Sequence, residues 1–280
     1  MQQLRRLSFL FAFAAMSITA TVHAADSGKT LLPVFDAHLH YNWEPAPHLP
    51  LEKVLALFQE QKVTGILATS RPNDGTRALY EAQPKDLWVV PFIRPYRVRP
   101  DVQTWMHDPQ TEELITSEVK HGYYRGIGEF HLAGKEAEAP QVKKAVAFAA
   151  KHKLFLHAHA DYEALEIIYR HDPKARIIWA HTGFFTEPAK VEAYLQRYPE
   201  LWCELSYRSG ITHGAKLTPE WRNLFEKYPE RFLIGSDTWV SERWDNYGDI
   251  MANYRGWLMQ LPTDVAEKIA FRNGERIFGR

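Results

Sequence analysis

Cysteine is all but missing, Cys203 being the only one in 280 residues. A single thiol excludes an internal disulfide framework and a cysteine-based zinc site, so the chain has to be stable through its core alone. Net charge is missing too, since Lys plus Arg and Asp plus Glu both number 34. Without a global field, long-range attraction to nucleic acid or to an acidic membrane is excluded, and the nine tryptophans make no nucleic-acid case without a basic stripe. No Gly-x-Gly-x-x-Gly follows the first strand candidate, which removes the dinucleotide-binding open sheet. There is also no Gly/Ser-rich linker, internal repeat, low-complexity tract, second long apolar run or lipid-attachment cysteine, so one soluble domain is expected.

The one long apolar run stands at the start. Arg5 and Arg6 precede Leu7 to Ala20, and Val22-His23-Ala24 puts small residues where a signal peptidase cuts. Residues 1–25 therefore read as a signal peptide cleaved after Ala24 or Ala25, and residues 26–280 as the mature domain. The run is shorter than the about 20 residues a membrane-spanning helix needs, and Ser8, Ser17 and Thr19 dilute it. Arg5-Arg6 keeps twin-arginine export open, although Ser8 stands where that signal usually carries an aromatic or large apolar residue. An exported protein, periplasmic or secreted and free of the membrane after cleavage, is expected, with self-association left open.

From Leu31 onward, short β-forming runs alternate with amphipathic helical patterns, the signature of repeated βα units. The strand candidates are Pro33 to Ala37, Val63 to Thr69, Leu87 to Ile93, Arg125 to Phe130, Leu154 to Ala158, Ala175 to Ala180, Leu201 to Leu205 and Arg231 to Gly235. Helical spacing marks Leu51 to Gln61, Gln141 to Lys151, Ala189 to Tyr198, Glu220 to Tyr228 and the closing region Tyr247 to Phe278. Eight strands each followed by a helix predict an α/β fold, a single-domain (β/α)8 TIM barrel.

Chemistry in that barrel belongs at the C-terminal strand ends. Strand one ends in His38 and His40, strand four in Glu129, strand five in His157 and His159, strand six in His181 and strand eight in Asp237. Five of the thirteen histidines fall at one end. Residues two apart on a strand share a side, so His38 and His40 can both project into the mouth. Alone the pair is a common motif. Together with metal-type residues from four further strands, it points to a divalent ion, zinc by its nitrogen and oxygen donors, with room for one or two ions.

The segments Phe35-Asp36-Ala37-His38-Leu39-His40, Gly126-Ile127-Gly128-Glu129, Leu154-Phe155-Leu156-His157, Ala180-His181-Thr182-Gly183, Gly235-Ser236-Asp237 and Asn273-Gly274-Glu275-Arg276-Ile277-Phe278-Gly279 resemble the amidohydrolase superfamily. The likeness is to its amidohydrolase-related branch, which includes metal-dependent decarboxylases and lactone hydrolases, and covers nearly the whole mature chain. It implies that His38, His40, His157 and Asp237 hold a principal metal. His181 is then either a ligand of a second metal or a partner of the reacting group, and Glu129 either bridges two ions or orients a ligand histidine. His159 is assigned to substrate or to the surroundings of the ligands. Asp237 is expected to take the proton of water activated by the ion, with His181 stabilising the developing charge.

Cations crowd the ends of strands two, three and seven. Arg71, Arg94, Arg97 and Arg208 are candidates to seat an anionic substrate group, against the alternative of loop arginines paired with surface carboxylates. Tyr207 after strand seven shares the anion-seating expectation with Arg208, while Tyr41, Trp43, Trp239 and Trp244 lie just past strand ends, where aromatic walls suit a cyclic or planar ligand. The expected activity is metal-dependent hydrolysis of an ester, lactone, amide or phosphoester bond in a small molecule. A metal-dependent non-oxidative decarboxylase and a non-catalytic extracytoplasmic metal-binding protein are the alternatives.

Overall fold

The strand candidates are mostly apolar on both faces because they have two cores to serve, one inside the sheet and one beneath the helices. The computed structural model describes residues 31–43, 46–82 and 84–280, so the expected signal peptide lies outside the described residues. The barrel strands are β1 (Val34–Leu39), β2 (Val63–Ala68), β3 (Trp88–Ile93), β4 (Gly126–Leu132), β5 (Phe155–Ala160), β6 (Ile177–Trp179) and β7 (Leu201–Glu204). A short antiparallel hairpin, β8 (Thr212–His213) and β9 (Lys216–Leu217), precedes the eighth barrel strand, β10 (Phe232–Leu233).

All neighbouring pairs from β1 through β7 to β10 are parallel. The ring closes where Ala37 N donates to the carbonyl of Ile234 at 2.8 Å and Asp237 N to that of His38 at 2.6 Å. Between these two bonds the Asp36 carboxylate accepts from Ser236 N at 2.8 Å, standing in for a main-chain acceptor. Among the described residues no helix is long and apolar enough to cross a membrane.

Two apolar clusters divide the work. Phe35, Leu67, Val90, Phe92, Phe155, Ile178, Trp202 and Leu233 fill the barrel interior, and Ile277 and Phe278 of the last helix plug its lower end. The Phe278 ring lies 5.0 Å from that of Phe155 and 5.7 Å from that of Phe35, centroid to centroid. The outward-facing cluster joins the strands to the surrounding helices and includes buried Cys203, whose thiol burial pushes up to about 12. Above the aromatic plug the interior changes from apolar to ionisable.

Candidate metal centre

The lower half of β1 turns Phe35 and Ala37 inward, so an unbroken strand would turn Leu39 inward as well and His38 and His40 out. A register shift between Asp36 and Leu39 reverses that alternation: both histidines enter the barrel and Leu39 joins the outer core. The same device recurs on β4, where a shift between Gly128 and Phe130 places Glu129 inside. Gly128 is required there, because its φ is +124° and a Cβ would lie 2.2 Å from the carbonyl oxygen of His157.

His181 and Thr182 follow β6 with φ of 55° and 47°, a left-handed turn that swings the His181 ring back over the mouth. Asp237 is left-handed as well, at 48°. At Gly235 a Cβ would stand 2.5 Å from that of His38 and 2.6 Å from Glu204 Oε1, so its absence lets that buried pair meet.

Two of the imidazoles are held in one sense. His38 Nδ1 donates to Glu204 Oε2 at 2.9 Å and His181 Nδ1 to the carbonyl of Ser206 at 2.9 Å, while His40 Nδ1 lies against both the carbonyl of Thr69 and a terminal nitrogen of Arg94. With Nδ1 of His38 and His181 carrying the proton, each Nε2 presents a lone pair to the barrel axis, the arrangement that oxygen acceptors impose on metal-binding histidines. The Nε2 atoms of His38 and His40 are 3.1 Å apart. Asp237 Oδ1 lies 3.4 Å from the first and 3.0 Å from the second, and Glu129 Oε1 and Oε2 lie 3.5 and 3.3 Å from them in turn. His181 Nε2 is 3.5 Å from Glu129 Oε1 and 4.0 Å from Asp237 Oδ2.

Two buried imidazole nitrogens facing one another beside two buried carboxylates suit a cation between them, a metal ion or, without one, a proton. His38, His40, Glu129 and Asp237 form a four-donor group compact enough to hold one. Beneath them His157 is fully buried and neither of its ring nitrogens has a partner among the described residues, a costly state for an imidazole that binds nothing. The residues present thus fit a divalent ion.

Charge follows the same geometry. Burial works against protonation of His38, but Asp237, Glu129 and Glu204 outweigh it and hold its pKa well above the ordinary histidine range. Burial would likewise raise Asp237, yet His38 and His40 bring it well below the usual carboxylate range. The metal-free site therefore carries a proton at His38 near neutral pH that an ion must displace, so ion affinity should rise with pH, by about tenfold per unit for each proton released. Competition titrations against a chelator at about pH 6 and about pH 8 read this directly, and equal affinities at the two would contradict it.

The structure separates the expected substrate groups. Arg71, Arg94 and His159 line a cleft of about 630 Å³ over the centre, together with Glu129, His181 and Asp237. Arg94 is deeply buried and already engaged: one of its terminal nitrogens lies 3.0 Å from Glu129 Oε2 and the other contacts His40. Arg97 lies outside the cleft, paired with Asp101 at 3.0 Å and with Asp108. Arg208 also lies outside, donating to the carbonyls of Phe184 and Thr186 and so pinning the turn that carries His181.

Of the aromatic residues, Tyr207 and Trp239 line the cleft, while Tyr41 and Trp244 pack in the core and Trp43 lies against it. Glu204, His131, Arg99 and Phe184 also line or support the cleft without a motif in the chain that marks them. Glu204 ends β7 on the same face as Trp202, a parity signal that was there to use. His131 is hidden by the shift in β4, and Arg99 comes from a long loop that no periodicity places.

A closed parallel barrel whose mouth gathers histidines and carboxylates from β1, β4, β6 and the segment after β10 defines a metal-dependent hydrolase. The chain belongs to the amidohydrolase family: the family model described as amidohydrolase matches residues 35–280.

Solved structures share the fold at low identity. A zinc-bound amidohydrolase from Burkholderia multivorans is 16% identical with a TM-score of 0.55, covering 87% of this chain and 98% of its own. A TatD homologue from Escherichia coli is 14% identical with a TM-score of 0.60, over 88% and 97%. An organophosphorus hydrolase mutant from Deinococcus radiodurans is 14% identical with a TM-score of 0.54, over 89% and 94%. No curated protein matches the chain.

Proposed function

We propose that this enzyme uses one zinc ion to hydrolyse a carboxylic ester or lactone in a small anionic substrate. The observation that carries the single ion is charge. In the layer of ligand atoms, Glu129, Asp237 and Glu204 bring three negative charges against the one positive charge of Arg94, and one divalent ion closes the balance in a place where an unpaired charge is expensive. His38, His40, Asp237 and Glu129 would hold it, with His157 as the donor from below. Imidazole and carboxylate donors suit zinc, the ion carried by the Burkholderia multivorans relative.

The ion would supply a Lewis acid that acidifies water and polarises the bond under attack. The chain does the rest. Asp237 turns Oδ1 toward His38 and His40, leaving Oδ2 on the side of His181 to take a proton. His181, fixed through Nδ1, turns Nε2 to the cleft, and in its protonated form, which Glu129 favours, that nitrogen would donate to the place where negative charge develops. Arg94 holds Glu129 in position through an ion pair of 3.0 Å. At the cleft, Arg71 and Arg99 favour an anionic group, and Phe184, Tyr207 and Trp239 wall in its apolar part.

Elemental analysis of the purified mature protein should find one zinc per chain. A panel of lactones, esters, phosphoesters and acyl amides should then single out a carboxylate-bearing ester or lactone. Two ions per chain would overturn the single-ion reading, cleavage of phosphoesters alone would overturn the bond assignment, and carbon dioxide release without water incorporation would turn the assignment to decarboxylation. Export is part of the proposal and rests on residues 1–25. A mature chain recovered from outside the cytoplasm and beginning at Ala25 or Asp26 supports it, and an intact leader on cytoplasmic protein contradicts it.

A further inference from the structure

His131 and His159 stand side by side on the cleft wall, ring centroids 4.0 Å apart, and with Glu129 they form a second group close enough to hold an ion. Their hydrogen bonds argue for something else. The hydroxyl of Tyr96 is buried, and its two partners among the described residues are both on His131: it accepts from the main-chain N at 2.7 Å and lies 3.0 Å from Nδ1. A phenol that already accepts has one proton left to give, and a buried one is costly to leave unused. Tyr96 therefore donates to His131 Nδ1. That spends the lone pair there and puts the imidazole proton of His131 on Nε2, where an ion would need a lone pair.

The His131 backbone is fixed by Trp105, whose indole donates to its carbonyl at 2.9 Å. Its Nε2 lies 4.0 Å from Glu129 Oε1, too far for a hydrogen bond, and so remains available to a ligand. His159 is held in the opposite sense. Its Nδ1 is 2.9 Å from Glu129 Oε1, an acceptor only, so Nδ1 carries the proton and Nε2 is a lone pair. Both side chains are about 30% exposed, at 30% and 27%.

We infer that His131 and His159 form a donor and acceptor pair that reads a hydroxyl group on the substrate, His131 Nε2–H donating to the hydroxyl oxygen and His159 Nε2 accepting its proton. This deepens the proposed hydrolysis by adding hydroxyl to the carboxylate and the ester or lactone carbonyl. Tyr96 acts through His131 and is a positioning residue. A site built to satisfy both sides of a hydroxyl discriminates against the deoxy analogue, because the two ring nitrogens, covered by the bound substrate, are then left without a partner.

Two measurements test this on the zinc-loaded full-length mature protein. Spectra of ring-nitrogen-labelled histidine should show His131 protonated at Nε2 and His159 at Nδ1, with the His131 preference lost in Tyr96→Phe. A proton on Nδ1 of His131 overturns the pair, and this readout does not depend on turnover. Malate and succinate, dicarboxylates differing by one hydroxyl, are then compared by calorimetry, and monomethyl malate and monomethyl succinate as substrates.

Malate should bind at least about tenfold more tightly than succinate, and the ratio should fall to within about twofold in His131→Phe while His131→Gln, which retains a donor, keeps part of it. Equal or undetectable binding of the two overturns the hydroxyl reading. So does a second zinc that is lost in His131→Phe, since that would make the group a metal site. If both methyl esters resist cleavage while the tautomers and the malate preference hold, the hydrolysis reading fails and the pair stands.

Discussion

Asp237→Asn should lower turnover by about a thousandfold, within the range attributed to a positioned proton acceptor, while leaving the barrel folded. The substitution is a clean probe because of the backbone. Asp237 sits at a φ of 48°, a left-handed conformation that asparagine tolerates as well as aspartate and that alanine does not. Its amide hydrogen bond to the carbonyl of His38, one of the two closing the ring, is main-chain and survives the exchange. What changes is the charge facing His38, His40 and the ion that Asp237 would help hold, and the ability of Oδ2 to take a proton, so turnover is compared at equal zinc content. Turnover on the substrate found by the panel, with circular dichroism as the control for folding, checks it. Activity within about tenfold of the parent enzyme would remove Asp237 from the proton-transfer step.

The second large effect should come from Arg94→Met, and its two parts should have opposite signs. Arg94 is 2% exposed, its guanidinium is paired with Glu129 at 3.0 Å, and its main chain is held by the Asn73 side chain through bonds of 2.8 and 3.0 Å. Methionine has a comparable stem and no charge, so Glu129 is left buried beside Asp237 with imidazoles alone, those of His159, His38 and His181, for partners. Breaking a buried pair in this way costs about 3–5 kcal/mol, and urea unfolding of the metal-free protein should show a loss of that order. Removing a positive charge from beside a dication also removes repulsion, so zinc affinity should rise even as the fold weakens. Parallel loss of stability and of affinity would mean that Arg94 organises the ligands chiefly by shape. No change in stability would mean that the surrounding imidazoles balance Glu129 without Arg94.

These expectations differ from the reading of Arg94 as a substrate anchor, and the reason is general. An arginine just past a strand end is placed near the mouth by its position in the chain, but its partner is chosen in three dimensions. Arg94, Arg97 and Arg208 end against Glu129, Asp101 and a pair of loop carbonyls respectively. Arg71 and Arg99 lie along the cleft, and nothing local in the sequence distinguishes them from the others.

Alternating runs of β-formers and amphipathic helices determine eight parallel strands, because a parallel strand buried on both faces has to be apolar throughout and a crossover helix has to bury one stripe. The chain by itself also determined that metal-type side chains collect at one end, since His38, His40, Glu129, His157, His181 and Asp237 follow the apolar part of their strands. Which of them face inward was decided by the tertiary structure. The shifts between Asp36 and Leu39 and between Gly128 and Phe130 reverse the side-chain alternation, and such shifts arise from how neighbouring strands pair. The support shell was decided there too. Glu204 is 166 positions from the histidine it orients, and the Tyr96 hydroxyl that sets the proton of His131 comes from a different strand end 35 positions away. A hydrogen bond between residues so far apart leaves no periodicity in the chain, and only the closed ring, which brings every strand end to one mouth, creates it.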